Sequence, residues 1–167
     1  RSISVMRDGE EIQLHIGAKS GGAVINPDGS SSTIASFVDG HSINSIVQID
    51  ESKWMGASND GLTGWKNSEP TRLDTHPARF ARRVGDHVVF ANGPTLRVLD
   101  PEGTIDTIGG GAEIIQNFVE GESCVVVRAD GAIESIDVVE GRALDVRHVG
   151  ACRSAAMLFG LSDGFFA

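Results

Sequence analysis

Cysteine is nearly absent: the chain holds only 2, Cys124 and Cys152, far apart in sequence. Two cysteines cannot build a disulfide framework, and no CxxC pair or Cys/His ligand spacing is present, so the common zinc motifs are excluded. Cys124 opens a β-branched run and reads as a small buried hydrophobe. This usage leaves the compartment open and leans toward the cytosol. Long apolar runs are also lacking. The longest, such as 124–127 and 155–159, fall well short of the about 20 residues that span a bilayer as a helix. Basic side chains are in the minority, with 14 Lys and Arg against 23 Asp and Glu and a net charge of -9. Such a surface repels phosphate backbones, so general nucleic-acid binding is not expected.

Helical periodicity is missing almost everywhere, and only 79–84 and 153–159 merit testing as short helices. Proline is scarce at 5, whereas glycine is abundant at 21. Glycine at this level without a collagen period points to many tight turns, as short antiparallel strands require. Apolar residues at 40%, charged residues at 22% and a mean hydropathy of -0.04 describe a folded globular chain rather than a disordered one. The chain opens at Arg1 rather than at a methionine, so it reads as a piece of something longer.

Catalytic signatures are wanting as well. There is no Gly-x-Ser-x-Gly elbow and no Asp-x-Asp-x-Asp-Gly calcium loop. His15, His41, His76, His87 and His148 never fall in His-x-His or His-Glu-x-x-His spacing. The carboxylates are scattered over turns, and nothing singles out an acid/base pair. Gly109-Gly110-Gly111 looks like a phosphate-cradling loop, but no helix or P-loop lysine follows it, so it reads as a connector. No catalytic residue, metal ligand or cofactor site is assigned.

What the chain does have is a repeat. Asn59-Asp60-Gly61, Asn92-Gly93, Asp130-Gly131 and Asp163-Gly164 each follow an apolar or small-residue run. Their spacing of about 33 to 37 residues lies in the range of a propeller blade. Asn-Gly and Asp-Gly are strong hairpin signals because type I′ turns need positive φ at both central positions. A second series of turns falls about one strand later: Asn26-Pro27-Asp28-Gly29, Asn67-Ser68-Glu69-Pro70, Asp100-Pro101-Glu102-Gly103 and Glu140-Gly141. Between these marks residues alternate as strands do, as in Glu11–Ile16 and Thr95–Leu99; over Ala132–Val138 the alternation is imperfect. The expected fold is all-β, a β-propeller segment of four-stranded antiparallel blades whose ring is completed outside this chain. Approximate blades are 1–37, 38–75, 76–110 and 111–150, with 151–167 an incomplete fifth.

The second of these blades resembles a WD-repeat. Gly40-His41 begins it, Ser58-Asn59-Asp60-Gly61 matches the Ser-x-Asp turn, and Trp65-Lys66 stands where that family has Trp-Asp. Trp65 is one residue closer to the turn than the family spacing, and Lys66 replaces the Asp. The resemblance implies a structural hydrogen-bond relay through His41, Ser58, Asp60 and Trp65. A separate candidate is an interaction patch of Arg79, Phe80, Arg82 and Arg83, because arginine beside an aromatic is the composition of a binding hot spot. The competing placement buries Phe80 and sets the arginines against neighbouring carboxylates on a solvated strand. Trp54 is similarly divided between a rim anchor and packing between blades.

These features favour a non-catalytic protein–protein interaction or scaffold module within a larger protein or multisubunit assembly. Its partner would be another protein or further blades of the parent chain, with no cofactor and no membrane span. The alternative is a propeller enzyme or small-ligand-binding domain with its site at the mouth of the central channel. That reading requires polar side chains converging from several blades.

Overall fold

A computed structural model describes every residue except 1, 9–10, 19–20, 37–42, 51, 68, 121–122, 140–142, 153–158, 162–163 and 167. The described residues form strands and turns, with no helix among them. Four sheets of four strands follow one another along the chain, each antiparallel and in simple up-and-down order. The first holds β1 (Ser2–Asp8), β2 (Glu11–Ala18), β3 (Gly21–Ile25) and β4 (Ser31–Ser36). The second holds β5 (Ile43–Gln48), β6 (Lys53–Ser58), β7 (Gly61–Lys66) and β8 (Glu69–Asp74). The third holds β9 (Phe80–Val84), β10 (His87–Asn92), β11 (Thr95–Leu99) and β12 (Ile105–Gly109). The fourth holds β13 (Ile114–Glu120), β14 (Ser123–Arg128), β15 (Ala132–Val139) and β16 (Ala143–Ala151). A two-stranded hairpin of β17 (Phe159–Leu161) and β18 (Gly164–Phe166) follows. The chain separates into two compact units, Arg1–Ala81 and Arg82–Ala167.

The short helix entertained for 79–84 is instead strand β9, bonded to β10 at the edge of its sheet. So short a stretch cannot repay the cost of helix nucleation, whereas an adjacent strand satisfies its backbone directly. The other stretch tested as helix, 153–159, lies outside the described residues except for Phe159, which begins β17.

Two of the turn sequences close in the same way. Asn26 carbonyl accepts from Gly29 N–H at 2.9 Å, and Asp100 carbonyl accepts from Gly103 N–H at 3.2 Å. Each is clamped by an aspartate side chain: Asp28 accepts from Ser30 N–H at 2.8 Å, and Asp100 from Thr104 N–H at 2.6 Å. Proline sets φ for the first central residue, and the carboxylate replaces a backbone acceptor within the turn.

Each sheet breaks register between its third and fourth strands, at Gly22/Ala23, Leu62/Thr63, Leu96/Arg97 and Ile133/Glu134. The unpaired residue on the fourth strand is aliphatic every time: Ile34, Leu73, Ile108 and Val149. A bulge adds right-handed twist to the strand that carries it. One bulge at the same place in each sheet therefore twists all four alike.

The second strands lie at the centre of the packing. β10 is buried from His87 to Ala91 and β14 from Cys124 to Arg128, so both faces of these strands are covered. Continuous runs such as Val88-Val89-Phe90-Ala91 and Cys124-Val125-Val126-Val127 suit a strand buried on both sides. In the first unit, Trp65 packs with Val24, Ile43 and Ile46, joining its first two sheets, and Trp54 lies against this cluster. In the second unit, Val125, Val127 and Ile133 pack with Phe118 and Cys152.

The sheets are stitched by a recurring backbone bond from the chain leaving one sheet to that sheet's own central hairpin. Ala78 N–H donates to Ser58 carbonyl at 2.7 Å, Ile114 N–H to Gly93 carbonyl at 3.1 Å, and Cys152 N–H to Gly131 carbonyl at 2.9 Å. Close approach explains the glycine at two of these hairpins. A Cβ on Gly61 would lie 1.9 Å from Asp74 carbonyl oxygen, and one on Gly131 would lie 2.2 Å from that of Cys152.

Gly56 offers a test of the first unit's packing. A Cβ there would lie 2.8 Å from two ring atoms of Trp65 and 3.6 Å from Ile43. Gly56→Ala is therefore expected to cost about 1–3 kcal/mol by pushing the indole out of its cluster. Gly110→Ala, where a Cβ meets nothing within 4 Å, should stay within about 0.5 kcal/mol of the parent. Urea unfolding midpoints compare the two, and equal midpoints would contradict this account of Trp65.

Candidate interaction surface

Of the residues the WD resemblance implicates, Ser58, Asp60 and Trp65 are described and His41 lies outside the described residues. Ser58 ends β6, and its buried hydroxyl donates to Gly61 carbonyl at 3.2 Å and accepts from Asp60 N–H at 3.1 Å. These bonds close the Asn59-Asp60 turn. Asp60 is half-buried in that turn. Trp65 is 1% exposed, sits opposite Trp54 across β6 and β7, and its ring fills the first unit's core. Ser58 is thus tied to its turn, and Trp65 to apolar packing.

The same unit carries a polar seam that the sequence reading overlooked. Asn44 Nδ2 donates to Asn59 Oδ1 and to Ala78 carbonyl, both at 3.0 Å, and Ser45 Oγ donates to Ala81 carbonyl at 3.0 Å. Asn44 is the extra residue where β5 breaks register with β6 between Ile43 and Ser45. The bulge is what frees its amide to reach the departing chain. No spacing rule marks such a residue in advance.

The arginine-rich stretch resolves residue by residue. Arg79 is exposed just before β9, Phe80 is 4% exposed, Arg82 is half-buried and Arg83 is exposed. Phe80 therefore offers no aromatic surface to a partner. Arg83 Nε donates to Gly85 carbonyl at 2.8 Å, and its Nη2 lies 3.6 Å from Asp86 Oδ1, a solvated local pair worth little to stability. Burial lowers the Arg82 pKa, with the Cys124 sulfur acting the other way. The same burial pushes the Cys124 thiol up to about 12, offset in part by Arg82, which disfavours the nucleophilic thiolate.

The histidines are dispersed among the described residues. His76 is exposed, with Nδ1 at 2.7 Å from Asp74 Oδ1; His87 is buried in β10; and His148 is exposed on β16. No group of three or more His, Cys, Asp or Glu suited to a metal occurs among the described residues. Nor is any helix there long and apolar enough to cross a membrane.

A denser polar cluster lies on the fourth sheet. Asp137 accepts from the hydroxyls of Ser123 and Ser135, the latter at 3.0 Å. It also accepts two bonds from Arg147, from Nε at 3.0 Å and Nη2 at 2.6 Å. Both arginine bonds end on Asp137 Oδ2, while the serines share Oδ1, and Arg147 itself is largely exposed. Burial alone would raise the Asp137 pKa, but the bonds from Ser123, Arg147 and Ser135 together hold it below the usual value.

No protein-family model matches the chain, and no curated protein matches it in sequence. Solved structures do resemble it in fold. The structure of BBS1N in complex with ARL6DN aligns with a TM-score of 0.64 at 18% identity, covering 94% of this chain and 57% of that one. The computationally designed Ika8 protein aligns at 0.58 and 15% identity over 98% of this chain and 54% of that one. The N-terminal domain of Nup159 aligns at 0.55 and 14% identity over 81% of this chain and 40% of that one. The chain thus spans about half the length of the first two. BBS1N and the Nup159 domain are β-propellers, and the four-stranded sheets here are propeller blades. Identities this low establish the fold alone.

The Asp137 cluster generates a pH dependence. Its folded pKa lies below the unfolded value of about 3.9, so its contribution is complete above that value and is lost as pH falls through the folded pKa. Asp137→Asn should cost about 1 kcal/mol at neutral pH, reduced from a buried pair by the exposure of Arg147. The cost should shrink as pH falls below the unfolded value and vanish once the carboxyl is protonated in the folded protein too, where parent and variant are both uncharged at this site. Chemical unfolding across that range checks this, and a pH-independent difference would contradict it.

Proposed function

We propose that this chain is a non-catalytic protein-interaction module, a propeller segment that presents a surface to another protein or to further blades of its parent. The observation that carries this reading is its likeness to BBS1N, a domain of the same fold whose structure was solved bound to ARL6DN. Side-chain bonding in this chain agrees with it: the polar clusters described above serve turns and seams between strands. Arg79 and Arg83 are the candidates for partner contact, since their exposed guanidinium groups stand out on an acidic chain of net charge -9. Each would recognise a carboxylate-bearing protein surface, with arginine's fork giving geometric as well as electrostatic selectivity. Arg82 and Phe80 play a supporting part by packing β9.

The test is quantitative co-purification of the tagged chain with Arg79→Glu or Arg83→Glu against the parent. A stoichiometric partner should be lost on charge reversal and weakened, though not lost, with Arg83→Lys, which keeps the charge without the fork. Identical partner sets for parent and both reversals would sink the assignment of these arginines.

The second blade is read as a WD-type repeat, with His41, Ser58, Asp60 and Trp65 as its structural relay. Its support is the sequence resemblance together with the position of Ser58 and Asp60 in one turn. His41→Ala and Asp60→Ala should each lower stability, and the double variant should lose less than the sum of the two. Strict additivity in thermal unfolding would remove the relay and leave Asp60 as a turn residue.

A further inference from the structure

Arg128 closes β14 and is 1% exposed, an unusual place for a residue that is always charged. Its guanidinium is committed in three directions. Nε donates to Glu134 Oε2 at 2.8 Å, while Nη1 donates to Pro94 carbonyl at 2.9 Å and to Ala112 carbonyl at 2.8 Å. Pro94 belongs to the central hairpin of the third blade. Ala112 belongs to the connector between the third and fourth blades. Glu134 is on β15 of the fourth. One side chain thus spans the whole seam between two blades.

Glycines lie over it at ordinary contact distance. The connector begins Gly109-Gly110-Gly111, and a Cβ on Gly111 would rest 3.5 Å from the guanidinium carbon. A Cβ on Gly109 would lie 3.8 Å from Nη2. The run of glycines that resembles a phosphate loop in sequence is therefore the roof over a buried arginine. Glu134 supplies the counter-charge, without which a guanidinium in this position would carry a large desolvation penalty. Beside this arrangement, Ile114 N–H bonds to Gly93 carbonyl.

We propose that Arg128 is a latch that fixes the third blade's central hairpin and the 109–112 connector to the fourth blade, so that these loops form one preordered surface rather than opening independently. The fork meets the carboxylate through Nε and both carbonyls through Nη1, two separate nitrogens; a lysine ammonium gathers its three donors on one nitrogen and does not reproduce that spread. In the first unit the corresponding work falls to Asn44 and Ser45, which are neutral and bond the departing chain directly.

Native-state hydrogen exchange on the intact chain tests this, with the Ile114 amide as reporter of the seam and the amides of β10 and β11 as reporters of the blade interior. Arg128→Met should speed exchange at Ile114 by roughly tenfold or more, the loss of charge-assisted bonds, while the blade interior changes less than about twofold. Arg128→Lys should behave as Arg128→Met does. Glu134→Gln keeps the arginine and guards against a failure to fold; it should loosen Ile114 by a smaller factor. An unchanged Ile114 in Arg128→Met or Glu134→Gln overturns the latch. So does full protection with lysine, or an equal rise at the seam and in the blade interior.

Discussion

The backbone bond from the chain departing the second, third and fourth blades to the hairpin each leaves behind is the constraint on which the described fold rests. Ala78 to Ser58, Ile114 to Gly93 and Cys152 to Gly131 all obey it. Once that bond is made, the chain's path out of each blade is set, and the following strand begins from a fixed point. Glycine follows where the approach is too close for a Cβ, as at Gly61 and Gly131. The bulge between the third and fourth strands supplies the twist that such packing of successive sheets needs. Turn, bulge and connector are therefore one device repeated, rather than separate features that happen to recur.

Packing in layers also explains the polar groups inside. β14 is covered on both faces and β15 beside it is half-buried at Glu134 and Asp137, so these carboxylates do not simply point to water. Glu134 and Asp137 lie on opposite faces of β15, and each meets an arginine, Arg128 for one and Arg147 for the other. The two pairs differ in consequence. Arg128 is sealed in and cannot lose its partner cheaply, whereas Arg147 keeps its guanidinium largely in solvent and contributes modestly.

Much of the architecture was legible because turns write themselves into sequence. Asn-Asp-Gly, Asp-Gly and the two Asx-Pro-Asx/Glu-Gly turns announced hairpins that are present, and the runs at 88–91 and 124–127 announced central strands. The imperfect alternation of Ala132–Val138 has a physical cause in the two ion-paired carboxylates, which look like solvent-facing residues until their partners are known. The bulges were invisible for a related reason. Ile34, Leu73, Ile108 and Val149 recur once per sheet, yet an aliphatic residue in a strand has no mark that distinguishes an unpaired position from a paired one. The arginine stretch was open in sequence between a surface patch and a buried Phe80 beside solvated arginines; strand geometry sends Phe80 inward and leaves Arg79 and Arg83 outside.

The seams show why a regular structure can leave so faint a sequence trace. The three described seams share the same backbone bond, but the side chains that reinforce it differ in kind. Asn44 and Ser45 reinforce the first, the buried Arg128 the second, and Cys152, whose Sγ lies 3.5 Å from the same Gly131 carbonyl, the third. A backbone bond places no demand on side-chain identity, so each seam can be reinforced by its own chemistry while the geometry is kept. What remains common in the letters is the turn glycine and a loose apolar rhythm. Family models built on side-chain patterns have little to hold in such a chain, whereas comparison of backbones recognises it at once. The same freedom bears on the outer surface: residues that face outward beside a fixed seam can change without disturbing the blade, so the fold by itself does not prescribe what that surface does.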